Sequence, residues 1–198
     1  MFQILVTNFV NMKINLILIL CTLFISHTKA QSTSIKADSV KTDKIQWMSI
    51  TEAFEKNKSF PKKKIFIDIY TDWCGWCKRL DATTYSHPII IKYINTNFWA
   101  VKFDAETKDT IKIDKNVYVN PNPSVKRSTH QLAVNLLNNK MSYPTTVFLN
   151  ESNNVITSVA GYFGPKDFEV VIKYFGSNEY LKQTYDQYRA QFVNEISE

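Results

Sequence analysis

The sequence predicts an α/β domain built on a central mixed β-sheet flanked by helices. Three observations carry that prediction. The segment KIFIDIYTD, 64–72, is rich in isoleucine and aromatic residues and ends in polar ones, the pattern of a buried strand. Helix-like stretches alternate with strand-like ones along the chain. Towards the end, two apolar segments joined by a polar turn precede a last helix, an order that belongs to layered α/β architecture.

The elements follow in order. Trp47 to Asn57 reads as a leading helix, and Lys62-Lys63-Lys64 as a solvated turn before the 64–72 strand. Beyond Gly75, WCKRLDATTY has helix formers and neither proline nor glycine. PIIIKYINTN, 88–97, is a helix that proline opens at its first position, with His87 leading into it; Phe98 to Phe103 is a second strand. KIDKNVYVNPNPSV, 112–125, reads as a short strand or hairpin with an Asn-Pro-Asn-Pro turn. Ser128-x-x-Gln131 has capping-box form before LAVNLL, which places His130 on the surface of that helix. TTVFLN and VITSVAGY are strands joined by the turn 151–154, and 165–175 is helical again. In the tail, Leu181, Tyr185, Tyr188, Phe192 and Ile196 recur at helical spacing. They predict one appended helix packed on the domain, or else a helix presented to a partner.

Composition sets bounds. At 198 residues, 44% apolar and 21% charged, the chain fits one soluble domain with an ordinary core. Lys13, the apolar run INLILILCTLFI and the ending Thr28-Lys29-Ala30 have the three parts of a secretory signal, so residues 1–30 are expected to be removed. Export to the periplasm is the expected outcome. An uncleaved segment anchoring the chain in the inner membrane is the alternative, and Met12 is an alternative start. Residues 31–44 then form a linker, 45–176 the domain with an insertion at about 105–127, and 177–198 the appended helix. Loss of Lys13 and Lys29 leaves 22 basic against 18 acidic side chains, an excess too diffuse to indicate a nucleic-acid partner.

Cleavage would also remove Cys21, leaving Cys74 and Cys77 as the only cysteines, in TDWCGWCK. A structural disulfide gains most by closing a long loop, and a two-residue gap closes almost nothing. Zinc needs four ligands, and His87 and His130 stand 10 and 53 residues beyond Cys77, away from zinc-ligand spacing. Haem attachment needs histidine where Lys78 stands. The reading that remains is a dithiol that cycles with its disulfide, with no metal and no cofactor. The strand-to-helix handover puts Cys74 at a helix N-terminus, where the macrodipole and unpaired N–H groups favour the thiolate.

The chain from about Trp47 to Phe175 resembles the thioredoxin superfamily, in particular its secreted bacterial members. WCGWCK matches the family's W-C-x-x-C-K, Asp68 lies six residues before the first cysteine, and Lys102 sits on the next strand. Ser142-Tyr143-Pro144-Thr145 matches the family's cis-proline step, and Gly161 follows in the last strand. The 40 residues between Phe103 and Pro144 exceed the family's minimal form.

The resemblance implies that Cys74 attacks a partner's disulfide and Cys77 resolves the mixed disulfide. It assigns Asp68 as proton acceptor for Cys77 and Lys102 as its partner; the alternative is an acid facing solvent at a strand edge. Pro144 is expected beside the cysteines, with the Tyr143 backbone pairing to an extended client segment and Trp73, Gly75 and Trp76 shaping the contact. No cation lies inside Gly75-Trp76 to stabilise the thiolate further, so the motif leans towards reduction. Disulfide-containing or dithiol proteins are the implied clients, and a membrane electron donor the implied source of reducing equivalents. An oxidase or isomerase on the same scaffold, or a binding or chaperone module with an idle dithiol, are the competing readings.

Overall fold

The structure, a computed structural model, describes residues 43–197. The expected signal, the linker up to residue 42, Cys21 and Met12 lie outside those residues. In chain order the elements are β1 (Trp47–Met48), α1 (Ile50–Lys56), β2 (Lys64–Tyr70), α2 (Gly75–Thr83), α3 (Pro88–Asn97) and β3 (Phe98–Asp104). They continue with β4 (Ile111–Ile113), β5 (Asn116–Tyr118), α4 (Gln131–Leu136), β6 (Thr145–Leu149), β7 (Val155–Ala160) and α5 (Pro165–Gly176). A 3-10 turn, Glu179–Leu181, and α6 (Tyr185–Gln191) complete the fold.

The main sheet runs β1-β3-β2-β6-β7, with β1, β3 and β2 parallel and β6 and β7 antiparallel, the mixed sheet the sequence predicts. Because side chains alternate across a strand, β2 feeds two cores. Ile65, Ile67 and Ile69 join Val101, Val147, Leu132 and Leu136 on one face. Phe66 joins Tyr85, Phe98, Phe148 and Phe168 on the other. Phe66 has no exposed surface and meets those four rings and Trp47 at centroid distances of 5.8 to 6.1 Å. Burying such a side chain stabilises the fold by about 1.5–3 kcal/mol. Asp68 is two residues further on, on the same face as Phe66, and is only 1% exposed.

Several local expectations are corrected. Trp47–Met48 does not begin a helix: these residues pair in parallel with Ala100 and Val101. The helix starts after Ser49, whose Oγ accepts the Glu52 N–H. Lys64 is not in a solvated turn. It is buried at the start of β2, and its Nζ lies 2.7 Å from Glu151 Oε1. Lys63 Nζ donates to the Asn95 carbonyl and sits 4.6 Å from the Trp99 ring centroid.

The capping box at Ser128 does not form, because its two side chains bind the insertion instead. Ser128 Oγ donates to Asn120 Oδ1, and Gln131 Oε1 accepts the Val119 N–H. The N-cap of α4 is His130, which is fully buried rather than on the surface. Its Nδ1 accepts the Leu132 N–H and its Nε2 lies 3.0 Å from the Asp109 carbonyl oxygen, partners that suit the neutral ring protonated at Nε2. The insertion carries the expected hairpin, β4 paired to β5, and buried Asn120 of the Asn-Pro-Asn-Pro turn donates to the carbonyls of Glu106, Thr107 and Ser128.

The tail is not one helix. It packs on α5 as the 3-10 turn, then α6, whose Thr184–Gln187 capping box fixes its start, then an extended end. Phe192 already has extended backbone, and Leu181 is exposed. Ile196 returns to the core because the buried Glu169 carboxylate accepts the N–H groups of both Glu195 and Ile196.

Candidate active site

The C-terminal end of β2 delivers the chain into the cysteine motif. The Cys74 N–H donates to the Thr71 carbonyl, which closes the turn. Cys74 is the N-cap of α2, and its Sγ accepts the Cys77 N–H at 3.1 Å. The two cysteines are joined as a disulfide, and both are nearly buried, at 5% and 3% exposure. A sulfur held at the start of a nine-residue helix faces the positive end of the dipole, so thiolate character is favoured there when the bond opens.

Two exposed tryptophans flank the disulfide. Trp73 is held from the insertion: its Nε1–H donates to Glu106 Oε1 at 2.8 Å, and the Arg127 guanidinium lies 4.6 Å from its ring centroid. The Tyr143 ring meets Trp73 edge-on. Trp76 packs beside Tyr162, and the Arg79 guanidinium covers both rings at 5.4 and 5.5 Å. Thr83 Oγ1 lies 3.1 Å from the Tyr162 hydroxyl, and hydrogen bonding by Thr83 holds the Tyr162 pKa below its ordinary value. Trp76, Tyr143, Pro144, Gly161 and Tyr162 line an open depression of about 340 Å³.

The Tyr143–Pro144 bond is cis, as the resemblance implies. The Gly161 N–H, just past the end of β7, donates to the Pro144 carbonyl at 2.9 Å. Gly161 has φ +105°, a backbone conformation that favours glycine. Gly75 is exposed at the first position of α2, with open space where a side chain would stand.

Behind this surface lies Asp68. It sits on the central strand β2, in register with Lys102 on β3 and Thr146 on β6, so the solvent-facing edge position is excluded. Asp68 Oδ2 is 3.3 Å from Lys102 Nζ, and the Tyr85 hydroxyl donates to Oδ1 at 3.3 Å. Burial pushes the Asp68 pKa up from 3.8 to about 6, against the pull of Lys102 and with a further push from Asp81. Burial likewise drives the Tyr85 hydroxyl well above its usual range. Lys102 Nζ also forms an ion pair with Asp81 of α2 and lies over the rings of Trp47, Tyr70 and Tyr85.

Thus Cys74, Cys77, Trp73, Gly75, Trp76, Tyr143 and Pro144 gather on one face, and Asp68 and Lys102 form a buried pair beneath α2. Sequence reasoning missed Asp81, Tyr85, Arg79, Tyr162, Glu106 and Arg127. Asp81 carried a usable signal, since it follows Cys77 by four residues and shares its side of the helix. Glu106 and Arg127 carried none, because the insertion places them only by folding back over the motif.

A mixed sheet of this topology with a disulfide capping the helix after its central strand defines a thioredoxin-fold disulfide oxidoreductase. Within that class the chain belongs to the family Thioredox_DsbH, described as "Protein of unknown function, DUF255", which matches residues 27–198. The thiol:disulfide interchange protein DsbD of Haemophilus ducreyi is 26% identical over 111 residues, 56% of this chain and 16% of that protein. This chain therefore matches only a small part of the length of that relative. Among solved structures, a DsbH oxidoreductase superposes with a TM-score of 0.50 at 16% identity, covering 70% of this chain and 89% of that one. A thioredoxin from Thermus thermophilus gives 0.49 at 14% identity, covering 66% and 85%. The first of these likenesses supports the fold alone.

Proposed function

We propose that the protein is a thiol-disulfide oxidoreductase that reduces disulfides in secreted or periplasmic proteins. The observation that carries this reading is the Cys74 sulfur at the N-cap of α2, accepting the Cys77 N–H, with Asp68 buried behind it. In the reduced state the Cys74 thiolate attacks one sulfur of a client disulfide. That S–S bond breaks, a Cys74–client disulfide forms, and one client sulfur leaves as thiolate. Cys77 then passes its thiol proton to Asp68, directly or through water, and attacks Cys74 Sγ. The Cys74–Cys77 bond forms, the second client sulfur leaves, and two electrons have moved to the client.

The depression beside Pro144 and the Tyr143 backbone are the proposed seat of an extended client segment, with Trp73, Gly75 and Trp76 at its rim. The reducing direction is supported by the motif itself, whose inner residues Gly75 and Trp76 add no cation to the helix dipole. Arg79 is turned onto the Trp76 and Tyr162 rings. A reductase oxidised by its client must be recharged, and we assign that role to a membrane-borne dithiol donor; the curated relative is itself a thiol:disulfide interchange protein. The N-terminal residues 1–30 are proposed as the export signal, with retention as an inner-membrane anchor the alternative. Among the described residues, no helix is long and apolar enough to cross a membrane.

Trapping tests the reading. Cys77→Ser is expected to stall the mixed disulfide on Cys74 and so capture clients, while Cys74→Ser abolishes insulin reduction. Equal insulin turnover by wild type and Cys74→Ser would remove the redox role. A Cys74/Cys77 potential near about −120 mV, the oxidising extreme of this chemistry, would reverse the direction.

A further inference from the structure

Lys102 has two anionic partners of different kinds. Asp68 is on the inside, its side chain 2% exposed and 3.3 Å from Nζ; Asp81 is on the outside, its side chain 43% exposed and in closer contact with the same Nζ. The Lys102 side chain is itself about three-quarters covered, and its ammonium is ringed by Trp47, Tyr70 and Tyr85 at 5.1 to 5.7 Å. A covered cation left without an anion is strongly unfavourable. Whenever Asp68 takes up a proton, Lys102 loses one of its two counter-charges, and Asp81 is the one that remains.

We propose that Asp81 is a positioning residue that acts through Lys102: it keeps the ammonium paired while Asp68 is protonated, and so leaves Asp68 free to accept and release the Cys77 proton. This rests on the proton-acceptor role given to Asp68 above. With Asp68 ionised the three groups carry one net negative charge; with Asp68 protonated they are neutral, and no covered charge stands alone. Without Asp81 the same protonation would strand Lys102, so the ionised form of Asp68 would be favoured. The groups facing Asp68 are few. β3 contributes Lys102, α2 contributes Asp81, the segment after α2 contributes the Tyr85 hydroxyl, and β2 itself contributes Tyr70, whose pKa is raised by burial first and by Asp68 among the nearby acids. β6 offers only the Thr146 hydroxyl, itself 3.5 Å from the Tyr85 oxygen. Burial raises the Asp68 pKa and the Lys102 attraction opposes it, as this arrangement requires. The direct Asp81 repulsion is a separate push upward, and a Lys102→Gln background separates it from the effect relayed by Lys102.

The test is a carboxyl-carbon NMR titration of the oxidised full chain, in which no thiol titrates, with Asp68→Asn assigning the resonance. Asp81→Asn, at a half-exposed site, is expected to lower the Asp68 midpoint by about one pH unit. In a Lys102→Gln background the same substitution is expected to move it by less than half as much, because its intermediary is gone. An unchanged midpoint in Asp81→Asn overturns the proposal. So does an equal shift in both backgrounds, which would make Asp81 act on Asp68 directly. The titration does not depend on turnover: loss of client reduction by the wild type would defeat the proposed function and leave this result to decide Asp81 on its own.

Discussion

Replacing Asp68 by asparagine should make the oxidised protein more stable at neutral pH. The carboxyl titrates at 3.8 when unperturbed and at about 6 in the fold. Between those values the folded state holds more protons than the unfolded state, so stability falls as pH rises through the window. The penalty is absent below the lower value and complete above the upper one. A shift of roughly two units corresponds to about 3 kcal/mol of penalty above pH 6. Asparagine removes the charge, and Lys102 keeps Asp81 as its partner. The variant should therefore exceed wild type by up to about 3 kcal/mol at pH 8, with the difference closing towards pH 4. Urea unfolding of both proteins across that range measures it. Other acids are also shifted, Asp104 among them, its pKa raised by burial, but they are common to both proteins and cancel in the difference. A difference that stays constant with pH, or a variant less stable at pH 8, would refute the reasoning.

The remaining expectations concern the insertion and the tail. Arg127→Ala and Glu106→Ala release Trp73 at an exposed site, so each should cost less than about 1 kcal/mol in stability. Each should nevertheless raise the client KM several-fold with little change in kcat, and unaltered insulin-reduction kinetics would count against the insertion as part of the client surface. Glu169→Ala removes a buried acceptor of Lys173, of Asn194 and of two backbone N–H groups, and should cost about 2–4 kcal/mol. Burial would raise the Glu169 pKa, but these donors outweigh it and hold it below 4.5. Its contribution is thus present above that value and lost as pH falls through the lower, folded-state one, a dependence on acid that the alanine variant should lack in unfolding experiments.

Local chemistry made much of this fold legible. The strand at KIFIDIY and the helix PIIIKYINTN form where the pattern places them, and His87 caps that helix with Nδ1 accepting the Ile89 N–H. The position of Cys74 at a helix start followed from a strand running into a glycine-led helix. What was not legible depends on partners far along the chain. Two residues of β1 are a strand only because β3 lies beside them, and Lys64 is buried only because Glu151 reaches it. His130 is an interior cap because the insertion brings the Asp109 carbonyl to its ring. The spacing in the tail was a true apolar pattern, yet it does not show that the chain leaves the helix at Phe192 so that its amides can reach Glu169. In the site, the acid behind the cysteines was legible as a costly charge in an apolar strand, whereas the division of Lys102 between two acids required the fold.

The Glu169 anchor reads main chain as well as side chain. Two of its contacts are the amides of residues 195 and 196, which nearly every amino acid supplies in the same form. The end of the chain is thereby tied to α5 in a way that sequence drift at position 195 leaves largely untouched. Proline is the exception, since it alone brings no donor.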